Sequence, residues 1–222
     1  QYVVGSWGFR TLDVMVDRRV LIPRPETEQV VERVLDAVDD RAAQRRARVD
    51  GSGRVDPVRV ADLGTGSGVI ALSVAAERTG VEVWATDHHA DALAVARANL
   101  AGIGRRGTQV RISEGSWFDV IASNPPYVRT DEIPSLAAEV AAWEPHHALV
   151  AGPDGTEQLA HLVAGAPAWL IPGGWLVVEL APHQATPVAE LARHQGFVDV
   201  EVGSDLSGRH RWVAARWEPM RC

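Results

Sequence analysis

The sequence predicts an α/β fold: a Rossmann-like, mostly parallel sheet covered by helices, with an antiparallel strand at its C-terminal end. Three observations carry that expectation. From Val58 onward, apolar runs of strand length alternate with helical patterns. A glycine-rich turn joins the first of those strands to its helix. The last two strand-like runs follow each other with no helix between them.

Residues 1–22 read as β structure, because a Gly5-Ser6 turn and the alternation Leu12-Asp13-Val14-Met15-Val16 suggest a hairpin. Pro23 and Pro25 then stop any strand, since proline lacks the backbone donor. Glu26 and Glu28 suit the first turn of a helix, along which Val30, Val31, Val34, Leu35 and Val38 recur at helical spacing. Residues 39–57, with Arg45, Arg46, Arg48 and Gly51-Ser52-Gly53, read as a solvated tail or loop. Strands are expected at Val58–Leu63, Val81–Thr86, Gln109–Ser113, Val120–Ser123 and Trp175–Leu180. Helices are expected at Val69–Glu77, Ala90–Leu100, near Thr156–Ala166 and near Ala185–Gln195. The runs Phe197–Val202 and His210–Trp217 make the antiparallel ending, which favours a methyltransferase-type sheet over a dehydrogenase. The chain thus divides into a hairpin and linker at 1–25 and the α/β domain at 26–222.

Composition excludes several chemistries. All 22 formal positive charges are arginine, so no Schiff-base, pyridoxal-phosphate or Walker-type lysine can exist here. Cys222 is the one cysteine, which excludes a disulfide framework and thiolate zinc sites and favours a cytoplasmic setting. A net charge of −7 disfavours a broad nucleic-acid surface. No apolar run approaches the roughly 20 residues that span a bilayer, so no membrane partner is expected. His88-His89 lack a third ligand in the sequence pattern, and no metal is expected.

The sequence Asp62-Leu63-Gly64-Thr65-Gly66-Ser67-Gly68 ends a strand and opens a helix, where glycines let a ligand approach the backbone. A dinucleotide fingerprint would want its third glycine where Val69 stands, which weakens a nicotinamide-cofactor reading. Asp87 closes the second strand and is placed to accept hydrogen bonds from two ribose hydroxyls. A tight turn with a helix-capping Asp87 is the alternative.

Asn124-Pro125-Pro126-Tyr127 is the sharpest motif. Consecutive prolines stiffen the backbone and remove its donors, leaving the Asn124 side-chain oxygen and the Pro125 carbonyl as acceptors. Such a pair can grip the two hydrogens of a planar amine or amide, and Tyr127 can cover its flat face. The gain would be orientation, not strong base catalysis.

With these motifs and Leu21-Ile22-Pro23-Arg24-Pro25-Glu26-Thr27-Glu28, the chain resembles the HemK/PrmC family, the AdoMet-dependent glutamine N5-methyltransferases of peptide chain release factors. Gly115-Ser116-Trp117-Phe118, Glu144-Pro145, Gly173-Gly174-Trp175 and Asp205-Leu206-Ser207-Gly208-Arg209 extend the resemblance along the chain. It implies the AdoMet-dependent methyltransferase fold, with S-adenosylmethionine held by Gly64, Thr65, Gly66, Ser67, Gly68 and Asp87, and Trp117 against the adenine. It implies that Asn124, Pro125, Pro126 and Tyr127 hold the glutamine of a Gly-Gly-Gln loop in class I release factors, with Asn124, Pro125 and Tyr127 the catalytic set and Asn124 also touching cofactor. Residues Pro23–Glu28 would border the same pocket. The family begins with a small helical domain, and a segment of that kind is expected ahead of Gln1. Where the family has Glu-His-Gly, Glu179-Leu180-Ala181 stands here, so no role of that histidine carries over. An adenine-N6 DNA or RNA methyltransferase, an NAD-dependent oxidoreductase and a silent AdoMet-binding module are the rival readings.

Further expectations concern the rest of the chain. In a 3-2-1-4 strand order, the crossing from Ser113 to Asp119 spans about 21 Å, while six residue steps reach at most about 20 Å. Residues are therefore expected to be missing between Trp117 and Val120. Glu179, at the end of a central strand, is expected to shape the pocket floor. His146-His147 read as a surface loop near the substrate side, and Trp143, Trp169, Trp175, Trp212 and Trp217 as core. Arg105, Arg106 and Arg129 read as solvated charge, with docking to a release factor or nearby RNA as the alternative.

Overall fold

Alternate residues along the central strands feed two separate cores, one on each face of a seven-stranded sheet. The structure, a computed structural model, describes residues 2–48, 55–111 and 118–219. It opens with the antiparallel hairpin β1 (Ser6–Phe9) and β2 (Leu12–Met15), followed by α1 (Thr27–Ala47). Then come β3 (Val58–Leu63), α2 (Val69–Glu77), β4 (Val81–Thr86), α3 (Ala90–Gly102), β5 (Val110–Arg111) and β6 (Phe118–Ser123). An excursion carries β7 (Val128–Arg129), α4 (Ala138–Trp143) and β8 (Val150–Gly152). The chain finishes with α5 (Glu157–Gly165), β9 (Leu170–Glu179), α6 (Ala185–Gln195), β10 (Phe197–Ser204) and β11 (His210–Trp217).

The sheet order is β10-β11-β9-β6-β3-β4-β5. Five strands, β3, β4, β5, β6 and β9, run parallel, and β11 pairs antiparallel with both β9 and β10. The expected 3-2-1-4 order and the antiparallel ending are both present. In β6, Val120 and Ala122 join the core that holds Val30 and Val34 of α1, whereas Ile121 joins the core that holds Leu159 of α5 and Val188 of α6. That period of two is why a strand covered on both faces reads as a continuous apolar run. Phe9, Leu12 and Val14 of the hairpin join the α1-side core. Arg10 pins the hairpin further, reaching Glu77 of α2 at 2.7 Å and Glu32 of α1 at 2.9 Å.

Three expectations need correction. The stretch 39–57 is not loop throughout, because α1 continues to Ala47. Its last turns are held by charge: Arg41 and Arg45 reach the buried Asp119 of β6 at 3.2 and 2.6 Å. Trp143 and Trp169 are exposed, not core, with Arg18 lying 4.1 Å over the Trp143 ring. Trp175 is buried as expected. Finally, β6 is one strand from Phe118 onward, so no residues are missing between Phe118 and Val120. The remainder of that expectation falls on 112–117, outside the described residues, as do Trp117 and the side chains of Arg105 and Arg106. Arg129 is exposed and paired with Asp131.

Candidate active site

The site forms where β3, β4 and β6 end, at the point where the chain's crossovers diverge to either side of β3. Open parallel sheets bind ligands at that place because the strand ends leave a crevice. Gly64, Gly66 and Gly68 hold φ of 72°, 55° and 90°, a region that penalises any residue with a Cβ. A Cβ at Gly64 or Gly66 would meet nothing within 4 Å, so their backbone faces open space. At Gly68 it would stand 3.2 Å from Leu72 Cδ1, so that glycine serves the close seating of α2.

Asp62 organises this loop, a role the motif reading missed. The Thr65 hydroxyl donates to Asp62 Oδ2 at 2.6 Å, and the Ala71 N–H donates to the same oxygen at 3.1 Å. Burial pushes the Asp62 carboxyl up to about 6, against the pull of those hydrogen bonds. An acid among the apolar residues that end the strand, two residues before the first glycine, was its signal in the sequence. Asp87 closes the loop from the other side, accepting from Gly66 N–H at 3.0 Å and from His89 N–H at 2.9 Å.

A cavity of about 450 Å³ lies in front of these groups, within the usual range for small-ligand sites. The structure brings Gly64, Thr65, Gly66, Ser67, Asp87, Asn124, Pro125 and Pro126 together on its wall. Pro23, Thr27 and His147 complete it from more distant segments. Two expected residues do not line it. Gly68 sits behind as the residue ahead of α2, and Tyr127 packs against the α5 and α6 core. Burial, then the charges of Glu179 and Glu26, push the Tyr127 phenol above its ordinary value. Its backbone carbonyl accepts from Gln184 Nε2 at 3.1 Å, which fixes the chain just past the prolines.

Asn124 is half-buried at the end of β6, and its Nδ2 donates to Thr27 Oγ1 at 3.3 Å. The Thr27 hydroxyl in turn donates to Glu179 Oε2 at 2.7 Å. Glu179 is fully buried behind Thr27, so it supports the wall rather than forming the floor of the cavity. Burial pushes its carboxyl up to about 7; Glu26 adds to this, while the hydrogen bonds of Thr27 and Asn124 and the charge of Arg211 oppose it. Nearby, Arg24 donates to both oxygens of Glu144 at 2.7 and 2.9 Å, joining the segment before α1 to the end of α4. Also lining the cavity, the rings of His89 and His147 lie with centroids 3.8 Å apart and planes tilted by 37°, and burial together with His89 holds the His147 imidazole below its usual value. Among the described residues no cluster of three His, Cys, Asp or Glu side chains is arranged around a metal position. Among them also, no helix is long and apolar enough to cross a membrane.

With its Nδ2 engaged, Asn124 has Oδ1 left as an acceptor, and the next residue, Pro125, adds a carbonyl. Two adjacent acceptors at a cavity wall can orient a planar –NH2 group and present its nitrogen to an electrophile in the same cavity.

A family model described as methyltransferase small domain matches residues 54–152. The chain is 43% identical over 223 residues to the release factor glutamine methyltransferase of Xylella fastidiosa (strain 9a5c), spanning 97% of this chain and 75% of that protein. It is 41% identical over 226 residues to the protein of the same name from Cereibacter sphaeroides, spanning 96% and 73%. Among solved structures, a release-factor-specific protein-(glutamine-N5) methyltransferase from Alicyclobacillus acidocaldarius superposes with a TM-score of 0.52 at 30% identity, covering 89% of this chain and 95% of that one. A methyltransferase from Pyrococcus furiosus shares the fold, with a TM-score of 0.60 at 18% identity over 93% of this chain and 89% of that one.

Proposed function

The chain belongs to the release factor glutamine methyltransferase family, and on that premise we propose how its own residues divide the work. Its reaction is transfer of a methyl group to the side-chain amide nitrogen, N5, of a release-factor glutamine. The target we infer is the glutamine of the Gly-Gly-Gln loop in class I factors, and the methyl donor S-adenosylmethionine.

The residues fit that donor. Gly64 and Gly66 offer backbone with open space where a Cβ would stand, and Asp87 presents a carboxylate at the end of β4. Both Asp87 oxygens already accept one backbone N–H, which fixes their orientation and leaves lone pairs for two ribose hydroxyls. Gly64 to Ser67 would hold the donor along the loop, and Trp117 would lie against its adenine. When bound, the donor supplies a sulfonium methyl as electrophile. The chain's part is positioning. Asn124 Oδ1 and the Pro125 carbonyl accept the two amide hydrogens of the glutamine, so its nitrogen is held with a fixed face towards the cavity. Holding those hydrogens also favours pyramidal nitrogen over the delocalised amide. The surplus proton leaves the nitrogen for water after transfer, and no side chain needs to form a covalent bond. Tyr127, packed below the prolines, would set their angle rather than stack on the substrate.

One observation carries this reading: Asn124 and Pro125, the residues that carry the two acceptors, line the same cavity as the glycine loop and Asp87. Purified protein with radiolabelled S-adenosylmethionine should label a release factor, and should not label its glutamine-substituted variant or adenine-containing DNA. Label in the DNA would move the reading to an adenine-N6 methyltransferase.

A further inference from the structure

An asparagine amide is nearly symmetrical in shape but opposite in polarity at its two ends. Rotated by 180°, Asn124 would meet the substrate –NH2 with its own –NH2, donor against donor. Something must select the productive orientation. Thr27, the first residue of α1, touches Asn124 on one side and Glu179 of β9 on the other.

We propose that Thr27 and Glu179 form a directional hydrogen-bond relay that holds Asn124 with Oδ1 towards the substrate, making both of them positioning residues for glutamine methylation. The proposal rests on the reading of Asn124 as the residue that grips the substrate amide. Its logic is a count of protons. Threonine has a single hydroxyl hydrogen, and Glu179 Oε2 takes it at 2.7 Å. An ionised carboxylate has none to return, so the hydroxyl can only accept from Asn124. The group 3.3 Å from Thr27 Oγ1 is therefore the Asn124 –NH2, and Oδ1 is released to the substrate.

The setting of Glu179 fits this role better than a packing role. It is fully buried, and its Oε1 has no hydrogen-bond partner among the described residues. A buried carboxylate so incompletely satisfied is costly, and an apolar side chain would fill the space with less penalty. The groups around it pull in both directions: Glu26 just ahead of α1 opposes ionisation, Arg211 on β11 and the amide of Asn124 itself favour it, and the Tyr127 phenol lies close by, so the Asn124 –NH2 faces both the Thr27 hydroxyl and the carboxylate behind it. With burial the balance leaves the carboxyl titrating at about 7. Protonated, Glu179 can donate to Thr27, whose hydrogen is then free to turn towards Asn124 Oδ1. The relay loses its direction, so activity should fall as pH drops through about 7.

The test uses the intact chain with release factor and S-adenosylmethionine, and the variants Thr27→Val, Thr27→Ser, Glu179→Gln and Asn124→Ala. Thr27→Val should lower kcat by about tenfold, the value of one well-placed hydrogen bond, with donor affinity changed by less than about twofold. Thr27→Ser should recover most of the loss. Glu179→Gln, which can donate as well as accept, should lower kcat and abolish the acidic limb near pH 7. Wild-type kcat in Thr27→Val, no recovery in Thr27→Ser, or a retained limb in Glu179→Gln would each overturn the relay. If Thr27→Val does not fold, the Thr27→Ser and pH-profile arms still decide. Loss of activity in Asn124→Ala together with a fully active Thr27→Val rejects the relay alone, whereas an active Asn124→Ala rejects the underlying reading.

Discussion

Arg41 on α1 and Asp119 on β6 are paired at 3.2 Å with their side chains 6% and 1% exposed, across 78 residues of sequence. Asp119 also accepts from Arg45 and from the backbone of Arg59, and Arg41 continues to the Gly173 carbonyl. One buried carboxylate therefore ties the end of α1 to three strands, β3, β6 and β9. Removing it leaves Arg41 buried without a counter-charge. We expect Asp119→Ala to cost about 3–5 kcal/mol in urea unfolding, the usual range for a broken buried pair. Donor binding per folded molecule should stay unchanged, since neither residue lines the cavity.

Asn124→Ala should abolish methyl transfer while leaving donor binding close to wild type in calorimetry. The side chain is placed to hold the substrate amide, and the glycine loop and Asp87 remain intact without it. A parallel loss of donor affinity would count against the assignment.

Gly66→Ala and Gly68→Ala should separate two roles of glycine. Both positions have positive φ, which costs about 1–2 kcal/mol for a residue with a Cβ. At Gly66 the new methyl points into open space, so donor affinity should fall more than stability. At Gly68 it also crowds Leu72, and the larger effect should be a lower melting temperature.

The contribution of two buried carboxyls to stability should decline from acid towards neutral pH. Burial raises the folded-state carboxyls of Asp62 and Glu179 to about 6 and about 7. Their protonated forms favour the folded state, so this contribution is present in full below the unfolded values near 4 and is lost as pH rises through 6 and 7. For Glu179 the change is on the order of 3 kcal/mol. Thermal melts of Glu179→Gln should show a flatter pH dependence than wild type; an unchanged slope would mean that Glu179 titrates normally.

Much of the scaffold was legible because its signals are local. The boundaries Val58–Leu63, Val69–Glu77, Val81–Thr86, Ala185–Gln195 and His210–Trp217 coincide with the strands and helices observed. Periodicity and flanking glycines fix such elements within a few residues of themselves. The end of α1 was not legible, since Arg45, Arg46 and Arg48 look like a solvated tail until Asp119 is placed beside the helix. Trp143 and Trp169 were misplaced for a related reason: local apolar company does not decide which side of an element meets solvent.

The site divides along the same line. The sequence alone determined the chemistry on offer: a glycine turn after a strand, an acid closing the next strand, and Asn124-Pro125 stripped of donors by two prolines. These follow from covalent structure and short-range conformational rules. Only the tertiary structure decided which neighbours direct those groups. It set Thr27, 97 residues from Asn124, against that amide and Glu179, 55 residues away, behind Thr27, and it turned Tyr127 away from the cavity into the core. Hydrogen-bond direction and burial depend on what folds into contact, and no pattern along the chain encodes that contact by itself.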